Sequence, residues 1–235
     1  MKTNYHTPNC DSCLSRDISI FCDLTDTEIG ALNKVKTCNI YDKGKIIFHE
    51  GNNIHGIYCV SKGKIKLYQL GGEGKEQIIR FAKPGDVIGY RALLSEEPLS
   101  ASAESLEDAI VCFIPKNHIF KMLKENQNFN FKMLKELSHE LGTSVKTITD
   151  LAQKPVRERL AETLLMLKDT FELDDQKIIQ VKLSREELAN IVGTATESVI
   201  RLLSEYKKEG IIALEGKNIK LLDVSALTRA ANIFD

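Results

Sequence analysis

The sequence predicts an α+β protein in which a β-roll comes first, one long helix follows, and a helix-turn-helix with a β-hairpin ends the chain. Three observations predict this order. Glycines recur between short apolar runs in the first half, apolar residues then repeat at spacings of three and four over residues 126–152, and two helix-start signals lie ten residues apart near residue 190. A chain of 235 residues is long enough for two small domains, each with its own core.

The composition narrows the class of protein. Hydrophobic residues make up 43% and charged residues 28% of the chain, and the net charge is −1. There is no run of 18 apolar residues and no apolar segment after the first lysine, so we expect neither a membrane span nor a secretory signal, and a cytoplasmic location. A near-neutral charge provides no general attraction to nucleic acid, so any DNA contact must come from a local patch.

The β-roll is predicted over residues 25–125, after an N-terminal arm of residues 1–24. Apolar or alternating runs at 44–51, 56–74, 76–90 and 108–115 are bounded by Gly, Asn or Pro. Glycine supplies the positive φ of tight turns, so this spacing favours short strands, and no helical periodicity is visible over 25–115. The glycines at 71–74 lack the following Lys-Ser/Thr of a phosphate loop and indicate a hairpin turn.

Residues 126–152 predict one helix with a single apolar stripe. The stripe consists of Leu134, Leu137, Leu141, Val145, Ile148 and Leu151. A 3-4 seam of this kind suits a dimerisation helix, and the alternative is a helix that packs on its own β-roll. Lys154-Pro155 ends this helix because proline fits only the first turn of the next, predicted over Arg157–Phe171. Residues 153–235 then form the C-terminal domain.

Two helix starts lie close together in that domain. Ser184 with Glu187, and Thr194 with Glu197, each fit a capping box, in which side chain and backbone N–H groups satisfy each other. Gly193 lies between them and can take the left-handed conformation of a tight turn. The pattern predicts a helix, a turn and a second helix.

Small and apolar residues complete the helix-turn-helix pattern. Ala189 allows the two helices to approach closely, and Val199 is predicted to pack inward from the second helix. After Gly210 two β runs are joined by Glu-Gly-Lys-Asn, which is turn chemistry for a hairpin. The hairpin makes the unit a winged helix, with Lys217 at its tip.

The second helix carries side chains that can read base pairs. The outward-facing candidates are Thr196, Glu197, Ser198 and Arg201. Arginine donates twice to guanine and glutamate accepts from cytosine, so Glu197 and Arg201 can read a G·C pair, each contact contributing about 1–3 kcal/mol of discrimination. We expect Ser184 and Thr194, at helix N-termini, and Lys217 to contact phosphates.

Other interpretations of these residues remain open. Glu197 can be a capping residue alone, and Arg201 can be an exposed surface charge. A winged helix can also contact a protein and have no operator. An enzyme is not expected, because we find no nucleophile–base pair and no metal-hydrolase motif in the sequence.

Three segments, YCVSKGKIKLY, AKPGDVIGY and TESVIRLLSEYKKEGII, give the chain a resemblance to the CRP/FNR family of bacterial transcription regulators. The resemblance implies a homodimer on a palindromic double-stranded operator, with RNA polymerase as a partner and Glu197 and Arg201 as readers of the G·C core. Ile200 stands where FNR-like members carry Ser and CRP-like members Gly. Thr196 stands where CRP-like members carry a further Arg.

The resemblance also locates an effector pocket. Cyclic-nucleotide binders of the family have a Gly-Glu pair for the ribose and an Arg-Ser pair for the cyclic phosphate, and the matching positions here are Gly89-Tyr90 and Ser100-Ala101. A buried phosphate without an arginine would be an unpaired charge. We therefore expect that cAMP is not the ligand, and that the chain is closer to FNR-like members.

The six cysteines are expected to be free thiols or metal ligands, because cytoplasmic proteins rarely hold disulfides. The resemblance to FNR-like oxygen sensors implies a [4Fe–4S] cluster on Cys10, Cys13, Cys22 and Cys112, although Cys22 follows Cys13 at a longer gap than is usual in the family. Alternatively, Cys112 is a buried core residue and Cys10 with Cys13 is a redox pair or zinc half-site. The signal is then an unknown small ligand or haem, or the chain has lost its sensing function.

Overall fold

The structure is a computed structural model that describes residues 8–233. Its internal contacts divide the chain into two compact units, one with the residues up to Gln69 and Ile79–Leu141, the other with Leu70–Ile78 and the residues from Gly142 onward. The predicted fold class is confirmed, with a β-roll, a long helix and a winged helix-turn-helix in that order. Within residues 8–233, no helix is long and apolar enough to cross a membrane.

Two four-stranded sheets form the roll. Its strands are β1 Thr37–Tyr41, β2 Ile46–Phe48, β3 Gly56–Lys62, β4 Ile65–Leu70, β5 Glu76–Ala82, β6 Val87–Ile88, β7 Ser102–Ser105 and β8 Ala109–Pro115. The strand orders are β1-β8-β3-β6 and β2-β7-β4-β5. The sheets share one apolar core, in which Val60, Ile65 and Ala103 are fully buried.

Three helices accompany the roll: α1 Asp26–Val35, α2 Tyr90–Ser95 and α3 Lys116–Glu125. The expectation of no helix over 25–115 is therefore wrong at α1 and α2. Helix α1 has a capping box between Thr25 and Glu28, but in its ten residues it buries only Ile29 and Leu32. A single i, i+3 pair is too short to show helical periodicity.

Helix α4 covers Gln127–Gln153, and α5 covers Val156–Phe171. Phe129 and Met133, in the first two turns of α4, are buried in the same cluster as residues of α1, α2 and α3. Pro155 lies between the two helices as the N-cap of α5, where it ends one helix and starts the next.

The remaining elements form the winged helix-turn-helix. They are α6 Arg185–Val192, α7 Thr196–Lys208, β9 Ile212–Glu215, β10 Asn218–Leu221 and α8 Val224–Ala230. Leu164 of α5, Leu188 of α6 and Val199 of α7 have no exposed surface, so the three helices share one core. The buried Tyr206 donates its hydroxyl hydrogen to the Arg157 carbonyl at 2.8 Å, which satisfies the polar end of a core ring.

Candidate nucleic-acid interface and effector cleft

The start and end of α6 have the local chemistry that the sequence predicts. Ser184 Oγ accepts from the Glu187 N–H at 3.0 Å, and the Glu187 carboxylate accepts from the Ser184 N–H at 2.7 Å, which completes the capping box. Gly193 ends α6 in the left-handed region with φ 71°. This left-handed backbone is the reason that the turn favours glycine, since the nearest neighbour of a Cβ there would be the movable end of the Leu151 side chain, at 2.9 Å.

The second predicted capping box is wrong. The N-cap of α7 is Ala195, which makes no side-chain cap, and the helix begins at Thr196. The N–H groups of Gly193 and Thr194 both donate to the Ala189 carbonyl, at 2.9 and 3.1 Å, so the turn continues past Thr194 before the helix begins. Glu197 is therefore not occupied as the capping partner of Thr194.

Helix α7 has one buried face and one exposed face. The buried face consists of Val199, Leu202, Leu203 and Tyr206. Of the four predicted base-reading residues, Glu197 and Arg201 are exposed, and Thr196 and Ser198 are half-buried. The Arg201 side chain is 66% exposed, and its Nη1 donates to Glu205 Oε1 at 2.8 Å, one turn further along α7.

The wing is held beside the start of α6. Strands β9 and β10 pair antiparallel, and the turn between them contains Gly216 at φ 59° and the exposed Lys217. Arg185 Nη2 donates to the Gly216 carbonyl at 3.0 Å. This contact brings two candidate phosphate-binding residues, Ser184 and Lys217, to one region. Sequence reasoning missed Arg185, which has no motif of its own.

Arg159 of α5 is a second residue that sequence reasoning missed. Its guanidinium donates to the carbonyls of Val192 and Gly193 at 3.0 and 3.3 Å, and to those of Lys154 and Leu151 at 2.8 and 3.4 Å. The first two carbonyls belong to the end of α6 and the turn before the reading helix, and the others to the end of α4 and the segment before α5. One side chain therefore joins the turn of the helix-turn-helix to the end of the long helix.

The long helix exposes an unusually apolar face. The exposed fractions are 71% for Phe131, 55% for Leu134, 67% for Leu141, 55% for Val145, 67% for Ile148 and 40% for Leu151. Leu137, also of the predicted stripe, packs against the core cluster that contains Phe129 and Met133. A contiguous apolar face of this kind is typical of a surface that a partner covers.

The four predicted effector residues line one cleft of the β-roll unit. These residues are Gly89, Tyr90, Ser100 and Ala101. Gly89 has φ 85°, and it turns the chain from β6 into α2. The structure therefore brings these four residues together, and their role as an effector pocket stays a prediction.

Charged residues from three elements meet in this cleft. Arg80 Nη1 of β5 donates to Glu140 Oε1 of α4 at 3.1 Å, and the Tyr90 hydroxyl donates to Glu140 Oε2 at 2.6 Å. Arg91 of α2 donates to Ser100 Oγ at 2.7 Å and lies 4.0 Å from the same carboxylate. Burial lowers the pKa of Arg80, but the Glu140 carboxylate outweighs this, and the net pKa is raised. Burial and the Glu140 hydrogen bond raise the pKa of Tyr90.

Known families match both parts of this chain. The cyclic nucleotide-binding domain family matches residues 39–126, and the Crp-like helix-turn-helix domain family matches residues 158–230. The chain is 28% identical to the fumarate and nitrate reduction regulatory protein of Escherichia coli over 95% of this chain and 90% of that protein. The structure of FixK2 from Bradyrhizobium japonicum is 26% identical, covers 86% of this chain and all of that one, and has a TM-score of 0.76.

The structure of TTHA1359 from Thermus thermophilus, a transcriptional regulator of the CRP/FNR family, has a TM-score of 0.71 at 25% identity, over 84% of this chain and 99% of that one. The chain belongs to the CRP/FNR family. It is a transcription regulator with a helix-turn-helix DNA-binding domain, and the relatives and folds that it matches are regulators, not enzymes.

Two arginines line the cleft in which the sequence predicts no arginine for a phosphate group. Ser100-Ala101 does replace the Arg-Ser pair, but Arg80 and Arg91 line the same cleft from other positions. The premise that no arginine is available for a phosphate is therefore wrong. The expectation that cAMP is not the ligand now depends on Tyr90, which stands where cyclic-nucleotide binders of the CRP/FNR family carry Glu.

The cysteines do not form the cluster ligand set that the FNR-like resemblance implies. Cys112 of β8 lies opposite Cys38 of β1 in register, and the two form a disulfide, so the expectation of free thiols is wrong for this pair. The two residues are directly opposed on neighbouring antiparallel strands, and their Cα atoms are 3.9 Å apart. Cys22 Sγ contacts Lys132 Nζ at 2.7 Å. Within residues 8–233 no group of three or more Cys, His, Asp or Glu is arranged to hold a metal.

Three of the other cysteines, Cys10, Cys13 and Cys59, lie near one another in the β-roll unit. Cys13 Sγ lies 3.7 Å from Ser61 Oγ, and Cys10 packs against the core cluster beside α1. Burial, followed by the nearby thiols of Cys13 and Cys10, raises the pKa of Cys59 to about 12. These residues do not fit a [4Fe–4S] cluster in this structure.

Proposed function

We propose that this regulator binds a palindromic operator as a homodimer, with α7 of each copy in a major groove. The observation that carries the proposal is the exposed pair Glu197 and Arg201, one turn apart on a helix whose opposite face is buried. Two grooves one helical turn apart on the same side of DNA are about 34–36 Å apart, so a two-fold dimer matches a palindrome.

Each α7 would read a G·C-containing core. Arg201 would donate to guanine and Glu197 would accept from cytosine, while Thr196 and Ser198 lie at the edge of the same face. Ser184, Thr194 and Lys217 would contact phosphates on either side of the groove. The Arg185 bond to the wing supports this arrangement, because it holds Lys217 near the start of α6.

The dimer would form through the exposed apolar face of α4. Leu141, Val145 and Ile148 are each more than half exposed in the single chain, and a second α4 would cover them. The signal would act on this helix pair, which would change the spacing of the two reading helices. Crosslinking that finds the same spacing between α7 helices with and without the effector would contradict that step.

RNA polymerase is the further partner that the family membership supports, and a genomic operator would place the regulator in the cytoplasm. A protein-interaction module without an operator is the competing function. Two properties separate these functions. DNA binding through phosphates weakens steeply with salt, and a preference among DNA sequences requires contacts to bases.

Selection of duplexes from a random pool tests the proposed function. The wild-type chain is expected to enrich a palindrome with a G·C pair in each half-site. Arg201→Ala should enrich no palindrome, and Lys208→Gln, on the same helix but near its C-terminus, should enrich the same one as wild type. If wild type enriches no sequence and its binding to the pool does not depend on salt, the operator function is wrong and the interaction module is favoured.

A further inference from the structure

Three cysteines form a row across the first sheet of the β-roll. Cys38 of β1 lies directly opposite Cys112 of β8, and Cys112 lies directly opposite Cys59 of β3. Directly opposed residues of antiparallel strands share a face of the sheet, with Cα atoms about 4.5–5.5 Å apart, a distance that a disulfide can span. Cys112 therefore has a potential disulfide partner on each side, and it is bonded to Cys38 in this structure.

The row lies on the face of the sheet that is turned away from the second sheet. On β3, Ile57 and Cys59 belong to or contact the core cluster that includes residues of α1, α2 and α3, whereas Val60 belongs to the core that the two sheets share. Cys112 is buried, and Cys38 and Cys59 are half-buried. A sulfur from a neighbouring strand therefore reaches Cys112 more easily than a reagent from solvent does.

A free thiol beside a disulfide can take over one of its two sulfurs. The thiolate attacks one sulfur, and the other sulfur leaves as a thiolate. Cys112 is the middle member of the row, so Cys59 approaches its sulfur from the side opposite Cys38. The exchange forms the Cys59–Cys112 bond, breaks the Cys38–Cys112 bond and transfers one proton from Cys59 to Cys38. It consumes no oxidant or reductant, because one disulfide and one thiol are present before and after.

We propose that this row is a thiol–disulfide exchange site, in which the disulfide moves from Cys38–Cys112 to Cys59–Cys112 and Cys38 is released as a free thiol. Strand β1 stands at one end of its sheet, so the released thiol lies at the sheet edge. Its co-reactant is a low-molecular-weight disulfide such as glutathione disulfide. Cys38 would form a mixed disulfide with one half of that molecule and release the other half as a thiolate. This inference is independent of operator binding.

Thiols of the N-terminal arm are the competing partners of Cys59. Cys10 packs against the same core cluster as Cys59, and Cys13 Sγ lies 3.7 Å from the Oγ of Ser61 on the same strand. Both belong to the arm before α1, whereas the pairing of β3 with β8 holds Cys112 directly opposite Cys59. Cys112 is therefore the partner that we expect.

Disulfide mapping of the full chain tests the exchange, because trypsin places the three cysteines of the row in separate peptides, 37–43, 46–62 and 92–116. The chain is purified without reductant and held at about pH 8 for about one day, since uncatalysed disulfide rearrangement takes minutes to hours and burial raises the pKa of the attacking Cys59 thiol. Free thiols are then blocked with N-ethylmaleimide before digestion. We expect peptide 92–116 linked to 37–43, and linked to 46–62 in about 1% of chains or more.

Glutathione disulfide traps the released thiol and makes the exchange cumulative. In wild type, glutathione is expected to add to Cys38 while the Cys59–Cys112 pair accumulates. Cys59→Ser should keep the Cys38–Cys112 pair and show at least about tenfold less adduct on Cys38. Cys22→Ser, which removes a thiol outside the row, should behave like wild type.

A second variant tests whether the sheet holds Cys59 and Cys112 close enough to bond. Cys38→Ser leaves these two as thiols, and glutathione disulfide should oxidise them to the Cys59–Cys112 disulfide while it is itself reduced to two thiols. Thermal unfolding of each variant separates a lost pairing from lost folding. The wild-type mapping and trapping need no variant, so they test the exchange even if a substitution unfolds the roll.

Several results would overturn the assignment. They are a wild-type chain with the Cys38–Cys112 pair alone and no adduct on Cys38, a chain in which Cys112 is linked to neither neighbour, and equal amounts of adduct in Cys59→Ser and wild type. Linkage of Cys59 to Cys10 or Cys13 in place of Cys112 would assign Cys59 to the arm instead.

Discussion

The DNA-binding unit and the β-roll unit are built from residues with very different spacing along the chain. In the first, Glu197 and Arg201, which we propose to read base pairs, lie four positions apart on one helix, and their geometry follows from helical periodicity. In the second, Arg80 and Glu140 are separated by 60 positions and meet only because the roll and α4 fold together. Glu197 and Arg201 are exposed, whereas Arg80 and Glu140 form an ion pair with each other in the cleft.

The two regions also differ in which chemical groups they contain. All six cysteines and all five histidines lie before residue 140, and the sequence from Gly142 onward has neither. Thiol and imidazole groups are therefore confined to the β-roll unit and the arm before it, with the first half of α4.

The largest expected effect comes from the α4 face, on which both units depend. Leu141→Lys combined with Ile148→Lys places charges on that face and is expected to give a monomer in analytical ultracentrifugation. Loss of the second half-site should weaken operator binding about 100- to 10,000-fold. Lys146→Gln, a polar exposed position between them, should remain dimeric. A double variant that is still dimeric would show that the chain associates through another surface.

Reduction of the Cys38–Cys112 disulfide sharpens the contrast between the units. The bond closes a loop with a sequence separation of 74, and opening it is expected to lower the free energy of unfolding of the β-roll by about 4 kcal/mol. Urea unfolding with and without reductant measures this. The DNA-binding unit, which has no cysteine, should unfold at the same urea concentration. The double variant Cys38→Ser, Cys112→Ser should not respond to reductant, and a response there would assign the effect to other thiols.

Arg159 tests whether the reading surface depends on a remote anchor. Arg159→Met removes donors from the four carbonyls that it bonds and is expected to cost about 1–3 kcal/mol of unfolding free energy. Operator affinity should fall as well, because the turn before α7 is no longer tied to the end of α4. Arg229→Met on α8 is the matched control. Unchanged unfolding and operator binding in Arg159→Met would mean that water satisfies these carbonyls equally well.

The smallest expected effect is on pH dependence, and it concerns the sensing unit only. Burial first, and Lys121 second, lower the pKa of His118 below its ordinary value of 6.5. Below pH 6.5 the imidazole of His118 therefore binds a proton in the unfolded chain more readily than in the folded chain. The free energy of unfolding decreases as the pH is lowered through that range. His118→Gln should lose less stability between pH 7 and 5.5 than wild type. Identical slopes would contradict the assignment.

Features that depend on residues close together in the chain could be predicted from the sequence, and features that depend on residues far apart could not. The Ser184 capping box, the left-handed Gly193 and the apolar stripe of α4 depend on neighbours within a few positions, so the pattern of residues predicts them. Thr194 and Glu197 have the same spacing as a capping box, but no capping box forms there. Thr194 belongs to the turn after α6, and its N–H donates to the Ala189 carbonyl. Helix α1 was missed because it buries only one apolar pair.

The contacts that the sequence did not predict join residues that are far apart in the chain, or join a side chain to a backbone carbonyl. Nothing local to Arg80 indicates that it meets Glu140, and nothing near Cys38 indicates that it lies opposite Cys112. Such contacts depend on strand order and register, which the sequence does not specify in readable form. Arg159 and Arg185 were missed for a related reason, since both donate to backbone carbonyls, and carbonyl acceptors leave no signature in residue type.

Discrimination of a single base pair by wild type and Arg201→Ala tests the central claim most directly. The Kd of each protein is measured at one fixed salt concentration for the selected palindrome and for the same duplex with its core G·C pairs changed to A·T. Wild type is expected to prefer the G·C duplex about tenfold to hundredfold, and Arg201→Ala to bind both with similar affinity. If Arg201→Ala keeps the full preference, Arg201 is only a surface charge and α7 does not read the operator through it.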